Sequence, residues 1–299
     1  MTAPVTVDAN TDPGGSVHAM SVDVEEHFQV SAMDSVIARA DWDRYRSRVE
    51  SNVDAILALF DRHDVRATFF TLGWIAARHA AMVRRIVAAG HELASHGSDH
   101  VKVHRQTPDE FRADIRRSKA VLEDVGGVPV RGYRAASFSI DGRTPWAHEI
   151  LAEEGYGYSS SVYPIRHDHY GMPEAPRFAY RPLPDAAFVE IPITTVEIAG
   201  RRVPCGGGGY FRLLPYRVFT RALDRVRRAD GQSCVFYFHP WEIDPDQPRV
   251  AGLSRRSRFR HYTNLKSMQP RLERLAARHA WDRMDRVFPV TQPSREAAA

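Results

Sequence analysis

Short apolar runs alternate with longer stretches of helical periodicity along most of this chain. Val17 to Val24 has the pattern of a buried strand and runs into Asp23-Val24-Glu25-Glu26-His27. Val49, Val53, Ile56, Leu57 and Phe60 then recur at helical spacing, and the β-branched and aromatic run Ala67 to Leu72 predicts a second strand. Ile75 to Ala89 predicts a helix stopped by Gly90, and His91 to Ser95 a third strand, broken by Gly97 and Ser98. Thr107-Pro108-Asp109-Glu110 reads as a capping box with proline at the first helical position, opening a helix that closes at Gly126-Gly127. Val130 to Ala135, a helix begun at Thr144-Pro145-Trp146 and a short strand at Tyr156 to Ser160 continue the alternation.

Strands alternating with helices of similar length indicate parallel β/α units. The expected fold is α/β, a deformed (β/α) barrel in a single domain over residues 17–287. A disordered lead over residues 1–16 and a flexible tail over 288–299 flank it. From Val162 to Pro215 the pattern turns irregular, rich in Pro, Gly and aromatic residues, with a strand pair expected around Phe188 to Ile198. Gly206 to Gly209 lacks the Gly-Lys-Ser/Thr ending of a phosphate loop, so a flexible turn near the site is expected. A helix at Tyr216 to Ala229, a strand at Cys234 to Phe238, a loop of Asp, Pro and Arg, and a last helix near Pro270 to Trp281 complete the prediction.

The chain has 299 residues, 43% of them hydrophobic and 26% charged, as in an ordinary globular protein. Its net charge of +4 comes from arginines interleaved with acids, which argues against a nucleic-acid footprint. Cys205 and Cys234 make neither a disulfide framework nor a thiolate zinc site. No apolar run approaches the ~20 residues of a membrane helix. Met1 to Val17 has no signal-peptide pattern, so the expected location is cytoplasmic.

Three polar clusters follow predicted strands, at the carboxyl ends where barrels place their active sites. His96 and His100 are four apart, a spacing that puts both imidazoles on one side of a helical turn, within reach of one metal ion. A carboxylate from the first strand end is the natural third ligand. Asp23 and Glu25 are two apart and face one side of an extended strand, so one can bind the metal and the other act as a base. Phe238-His239-Pro240-Trp241-Glu242 follows another strand.

With these motifs the chain resembles the polysaccharide deacetylase family, the NodB-homology or carbohydrate esterase 4 group. It is most similar to a branch found with exopolysaccharide gene clusters, which carries Asp-Val-Glu and His-Pro-Trp-Glu signatures and a C-terminal part matching Gly208 to Leu214 and His239 to Arg249. The resemblance implies a metal-dependent hydrolase that deacetylates N-acetylated glycans. Association with exopolysaccharide assembly proteins is a further implication. Zinc is the expected metal, with cobalt, manganese or nickel as alternatives.

The family roles carry over residue by residue. Asp23 matches the base that deprotonates metal-bound water. Val24 stands where the usual motif has a ligating aspartate, and Glu25 takes over as ligand beside His96 and His100. Arg134 matches the arginine that holds the base ionised, although Ala136 replaces the proline most relatives have two residues later. His239 matches the general acid that protonates the departing amine. Trp241, Ser137 and Tyr210 are the expected substrate contacts, with Trp241 as a wall on which a sugar stacks. A backbone N–H near Ala135 to Ser137 is the expected oxyanion donor. Asp141 and Glu242 are expected to orient His239 or Arg134. Two other readings stand beside this one: a small-amide hydrolase of the allantoinase-like type, marked by a closed pit, and a non-catalytic glycan-binding subunit, marked by a missing base or acid.

Overall fold

The computed structural model describes residues 5–6, 17–167 and 171–288. All seven residues of the strand His18–Val24 are buried, because it lies inside the sheet with neighbours on both edges. Thr68–Thr71 pairs with it in parallel, Glu92–Ser95 follows, then Gly132–Tyr133, Tyr158–Ser159 and Val189–Glu190, while Val235–Phe238 pairs in parallel on the far side. The sheet curls into a deformed (β/α) barrel, as the alternation predicts.

Register is what places the site. Asp23 pairs with Phe70, Thr71 with Ser95, Ser95 with Tyr133 and Val22 with Phe238. Parallel strands in this register end at one rim, so the residues just beyond them, Glu25, His96, Arg134 and His239, converge. The helix Pro108–Gly126 buttresses the outside. Its capping box forms as expected: Thr107 Oγ1 accepts from the Glu110 N–H at 3.3 Å and Glu110 Oε2 from the Thr107 N–H at 2.8 Å. Gly127 closes it at φ +65°.

Several predicted elements differ. The helix expected over 75–89 is two, Gly73–Arg78 and Ala80–Ala88, because His79 leaves helical geometry with its ring between Ser47 and Glu50. The strand pair around Phe188–Ile198 resolves into Val189–Glu190 in the main sheet and a separate hairpin, Thr195–Ile198 with Arg201–Pro204. Gly206 to Gly209 is not a free turn: Gly207 bridges to Tyr237, and Gly208 opens the helix Gly208–Leu213. The loop after Glu242 contains a further helix, Arg255–Tyr262. The helix expected near Pro270 to Trp281 runs over Leu265–Ala276 instead and carries Pro270 inside it, since Leu265, Met268, Leu272 and Leu275 share its buried face; Trp281–Asp282 is a strand parallel to His18–Val24, and a short helix, Met284–Val287, follows. Within the expected lead, Val5–Thr6 form a short strand antiparallel to Tyr180–Arg181. The rest of the lead, and the tail beyond Phe288, lie outside the described residues. Cys205 and Cys234 are buried and free. No helix among the described residues is long and apolar enough to cross a membrane.

At the strand ends opposite the site, Glu92 is buried with Thr68 Oγ1 and, at 2.9 Å, Tyr158 Oη donating to its carboxyl oxygens. Burial, helped by Asp285, pushes this carboxyl up to about 8 from its ordinary 4.5. The folded protein therefore holds a proton that the unfolded chain has released. That contribution to stability is full below about 4.5 and is lost as pH rises through about 8. Glu92→Gln fixes the neutral form, so relative to wild type its melting temperature should climb as pH is raised from about 5 to about 9. Parallel melting curves across that range would refute a protonated Glu92.

Candidate active site

Arg134 is fully buried and reaches back from the rim under the end of the first buried strand. Its Nη1 donates to Asp23 Oδ1 at 2.6 Å and to Ser21 Oγ at 2.9 Å, its Nε to the Ser160 carbonyl at 3.1 Å, and its Nη2 to Ser160 Oγ at 3.0 Å. The guanidinium lies 4.1 Å from the centre of the Phe70 ring. One oxygen of Asp23 is thus fixed, while Oδ2 lies 4.0 Å from His239 Nε2.

Glu25 follows Asp23 across the cleft floor. Its donor atom and those of His96 and His100 all lie within 4.8 Å of one another. His100 Nε2 is 2.9 Å from Glu25 Oε2 without the alignment of a hydrogen bond, and among the described residues this buried oxygen has no hydrogen-bond donor. His96 Nδ1 lies 2.8 Å from the Arg134 carbonyl. A carbonyl only accepts, so Nδ1 carries the proton and Nε2 keeps its lone pair for the cluster. Burial lowers His96 to about 4, leaving it neutral. Burial alone would raise Glu25, but the His100, His239 and His96 imidazoles outweigh it and hold the carboxyl near about 2. A buried anionic oxygen with no donor, beside the neutral His96 imidazole and the His100 ring, is the donor set a divalent cation takes. These three residues fit a metal. The four-residue spacing works, but not through a helical turn: Gly97 at φ +78° and His100 at φ +55° fold the loop so that both rings face Glu25.

His239 stands on the other side of Glu25, its Nε2 3.3 Å from Glu25 Oε1. Its Nδ1 donates to Glu242 Oε1 at 2.9 Å, and Glu242 is held in turn by Arg212 Nε at 2.6 Å. Burial opposes charge on the ring, but Glu25 and then Glu242 override it and raise His239 to about 9. Burial would likewise raise Glu242, but Arg212 and His239 keep it down near about 2. The whole set opens into a cleft of about 480 Å³ lined also by Ser137, Tyr210 and Lys102.

Other expectations are redirected. Trp241 lines the cleft but is only 7% exposed. Its ring stacks on His239 at 5.1 Å and on His261 at 4.2 Å, and its Nε1–H points at Glu25 Oε1 at 3.4 Å. It props the site rather than offering a sugar an open face. Asp141 orients neither His239 nor Arg134; its carboxylate is taken by Arg143 at 2.6 and 2.9 Å. Glu242 is the one that orients His239. The Ala135 N–H is committed to Ser161 Oγ at 2.9 Å, so it is no oxyanion donor. Ser137 and Phe138, at φ +55° and +50°, hold the turn beside it in a strained conformation. Arg212 and His261 were missed by sequence reasoning. The one signal for Arg212 was a charge inside the otherwise apolar and aromatic run Tyr210 to Leu214.

Comparison with known proteins bears on this arrangement. Residues 41–158 match the polysaccharide deacetylase family, and residues 160–289 match a family described as a domain of unknown function (DUF3473). A peptidoglycan-N-acetylglucosamine deacetylase of Listeria monocytogenes is 33% identical over 75 residues, 25% of this chain and 16% of that protein. A chitooligosaccharide deacetylase of a Bradyrhizobium is 28% identical over 97 residues, 32% of this chain and 42% of its own length. The matches therefore span less than half of either relative. Among solved structures, a candidate polysaccharide deacetylase from Mycobacterium smegmatis superposes with a TM-score of 0.60 at 22% identity, covering 94% of this chain and 91% of that one. A CE4 family pseudoenzyme from Bacillus anthracis does so with a TM-score of 0.51 at 14% identity, covering 98% and 72%. These two likenesses establish the fold and leave chemistry to the side chains. Residues 41–158 are thus similar to the polysaccharide deacetylase family, the NodB-homology or carbohydrate esterase 4 group, and residues 160–289 to the family of unknown function that follows.

Proposed function

We propose that this protein is a metal-dependent N-deacetylase acting on N-acetylated amino sugars of an oligo- or polysaccharide, in exopolysaccharide biosynthesis. The observation that carries the reading is the convergence, at one rim, of an arginine-pinned aspartate, a Glu-His-His trio fit for a metal, and a carboxylate-held histidine. The presence of both Asp23 and His239 favours catalysis over a binding-only role.

Glu25, His96 and His100 would hold the ion, and two imidazoles with one carboxylate suit zinc. A divalent cation bound there would supply Lewis-acid polarisation of the acetyl carbonyl and a more acidic water. The chain's own groups handle the protons. Asp23, with Oδ1 fixed by Arg134, takes a proton from the attacking water on its other oxygen. The water oxygen bonds to the acetyl carbon, and the C–N bond breaks with its electron pair on nitrogen. His239 gives its Nε2 proton to that nitrogen, which leaves as an amine. One water is consumed and acetate is the second product.

Acetate release from N-acetylglucosamine oligosaccharides, with and without chelator, tests the reading directly. Activity should vanish on chelation and return with zinc; full activity after exhaustive chelation would sink the metal-dependent mechanism. His96→Ala and Glu25→Gln should each lose stoichiometric zinc, measured by calorimetry, while still melting cooperatively. Asp23→Asn separates the two carboxylates. It should keep zinc but lose about 10²–10⁴-fold in kcat, the usual range for general acid–base catalysis. If Asp23→Asn lost zinc and Glu25→Gln kept it, the two roles would be reversed.

A further inference from the structure

Residues 160–289 match a family with no assigned function, yet they supply the strand Val235–Phe238 beside His18–Val24 and the Glu242, Trp241 and Tyr237 side chains packed on the His239 ring. We infer that this segment builds the proton-donating half of the active site, with Arg212 as a positioning residue that acts on His239 through Glu242. The proton step rests on the deacetylase reading, whereas the positioning rests on geometry alone.

Arg212 sits on the helix Gly208–Leu213 and is 2% exposed. Nη1 donates to the His261 carbonyl at 3.2 Å and also to that of Thr263, and Nη2 to the Arg260 carbonyl at 3.1 Å. These carbonyls end the helix Arg255–Tyr262 and have no partner inside it, so the guanidinium caps the helix end. Asn264 Nδ2 and Arg271 Nη1 hold the Arg212 carbonyl from outside, at 2.9 and 3.0 Å. With both Nη nitrogens anchored on these carbonyls the guanidinium is fixed, and its Nε meets Glu242 Oε2 at 2.6 Å.

Glu242 passes that placement on. Its Oε1 accepts from His239 Nδ1 at 2.9 Å and from the His239 N–H at 3.1 Å. A carboxylate only accepts, so the proton on Nδ1 is fixed and Nε2 is the atom presented to the cleft. Gly208 presses on the same carboxylate: a Cβ there would lie 2.3 Å from Glu242 Oε1. The helix start, the carboxylate and the ring thus form one interlocked stack. Among the described residues Arg212 is the one arginine or lysine paired with Glu242. Removing it leaves a buried anion without its counter-charge and frees the ring to turn.

The test compares wild type, Arg212→Met, Arg212→Lys and Glu242→Gln, all loaded with zinc, on a chitooligosaccharide and on 4-nitrophenyl acetate. The sugar nitrogen needs a proton to leave, but nitrophenolate does not. For Arg212→Met we expect kcat on the oligosaccharide to fall about 10²-fold, with KM and ester turnover within about 3-fold of wild type. Arg212→Lys should recover part of the loss. Equal losses on both substrates, or an unchanged kcat on the oligosaccharide, would overturn the proposal. The His239 Nδ1 proton gives a readout that needs no turnover. Its NMR resonance, assigned by its absence in His239→Gln, should move in Arg212→Met, and an unmoved resonance would also overturn it. A wild type that releases no acetate would defeat the deacetylase reading while the resonance still decides the positioning. Should Arg212→Met fail to fold, the near-isosteric Glu242→Gln must show the same substrate split and the same shift.

Discussion

Residue 134 ties the site together. Its guanidinium pins Asp23, its N–H donates to the Ser95 carbonyl at 2.9 Å, and its carbonyl fixes the tautomer of His96. One residue thereby sets the orientation of the proposed base, Asp23, and of His96, a proposed metal ligand, at the ends of two strands separated by Thr68–Thr71. A fully buried guanidinium is a poor device for stability. Its desolvation offsets much of what the ion pair returns, and removing one partner of such a pair costs about 3–5 kcal/mol. What the arrangement secures is direction, because a planar fork saturated by Ser21, Asp23 and Ser160 cannot turn.

Charge balance explains the rest of the chemistry. Three buried carboxylates, Asp23, Glu25 and Glu242, stand in one cleft, and two buried arginines answer two of them. Among the described residues Glu25 alone of the three has no arginine or lysine partner, only imidazoles, and its Oε2 has no hydrogen-bond donor. Burial at that depth would neutralise a lone carboxyl, so the pocket requires positive charge beside it. A protonated His239 meets part of that demand, and a divalent ion among Glu25, His96 and His100 would meet the remainder. His239 and the Glu25-His96-His100 cluster are therefore electrostatic partners, sharing one buried anion.

Most of this was legible in the sequence wherever function sits next to a strand end. Asp23, Glu25, His96, Arg134 and His239 each follow an apolar run within one or two residues, or end it, and parallel pairing brings such residues to one rim. What was not legible depends on contacts between distant segments. Arg212 reaches Glu242 across 30 positions, and His261 stacks on Trp241 across 20. No periodicity marks either. Trp241 looked like a sugar platform because an aromatic after a catalytic histidine reads that way locally. The helix Arg255–Tyr262, which closes over it, has so weak an apolar pattern that it read as loop. Asp141 misled for the opposite reason, since a partner two residues away, Arg143, satisfies it before it can reach the site.

The glycine run shows how the two kinds of information combine. Four successive glycines suggest mobility, and by composition alone nothing contradicts that. The structure gives three of them neighbours that leave no room for a side chain. A Cβ on Gly206 would lie 2.7 Å from the Val235 carbonyl, on Gly207 2.8 Å from the Tyr237 ring, and on Gly208 2.3 Å from Glu242. These glycines are therefore a packing requirement: only a chain without side chains can lie flat against the strand that delivers His239. The backbone must come that close because Arg212, four residues on from Gly208, has to reach Glu242 from beneath. Tight approach and charge pairing are thus two parts of one constraint, and both serve to hold an imidazole in a single orientation.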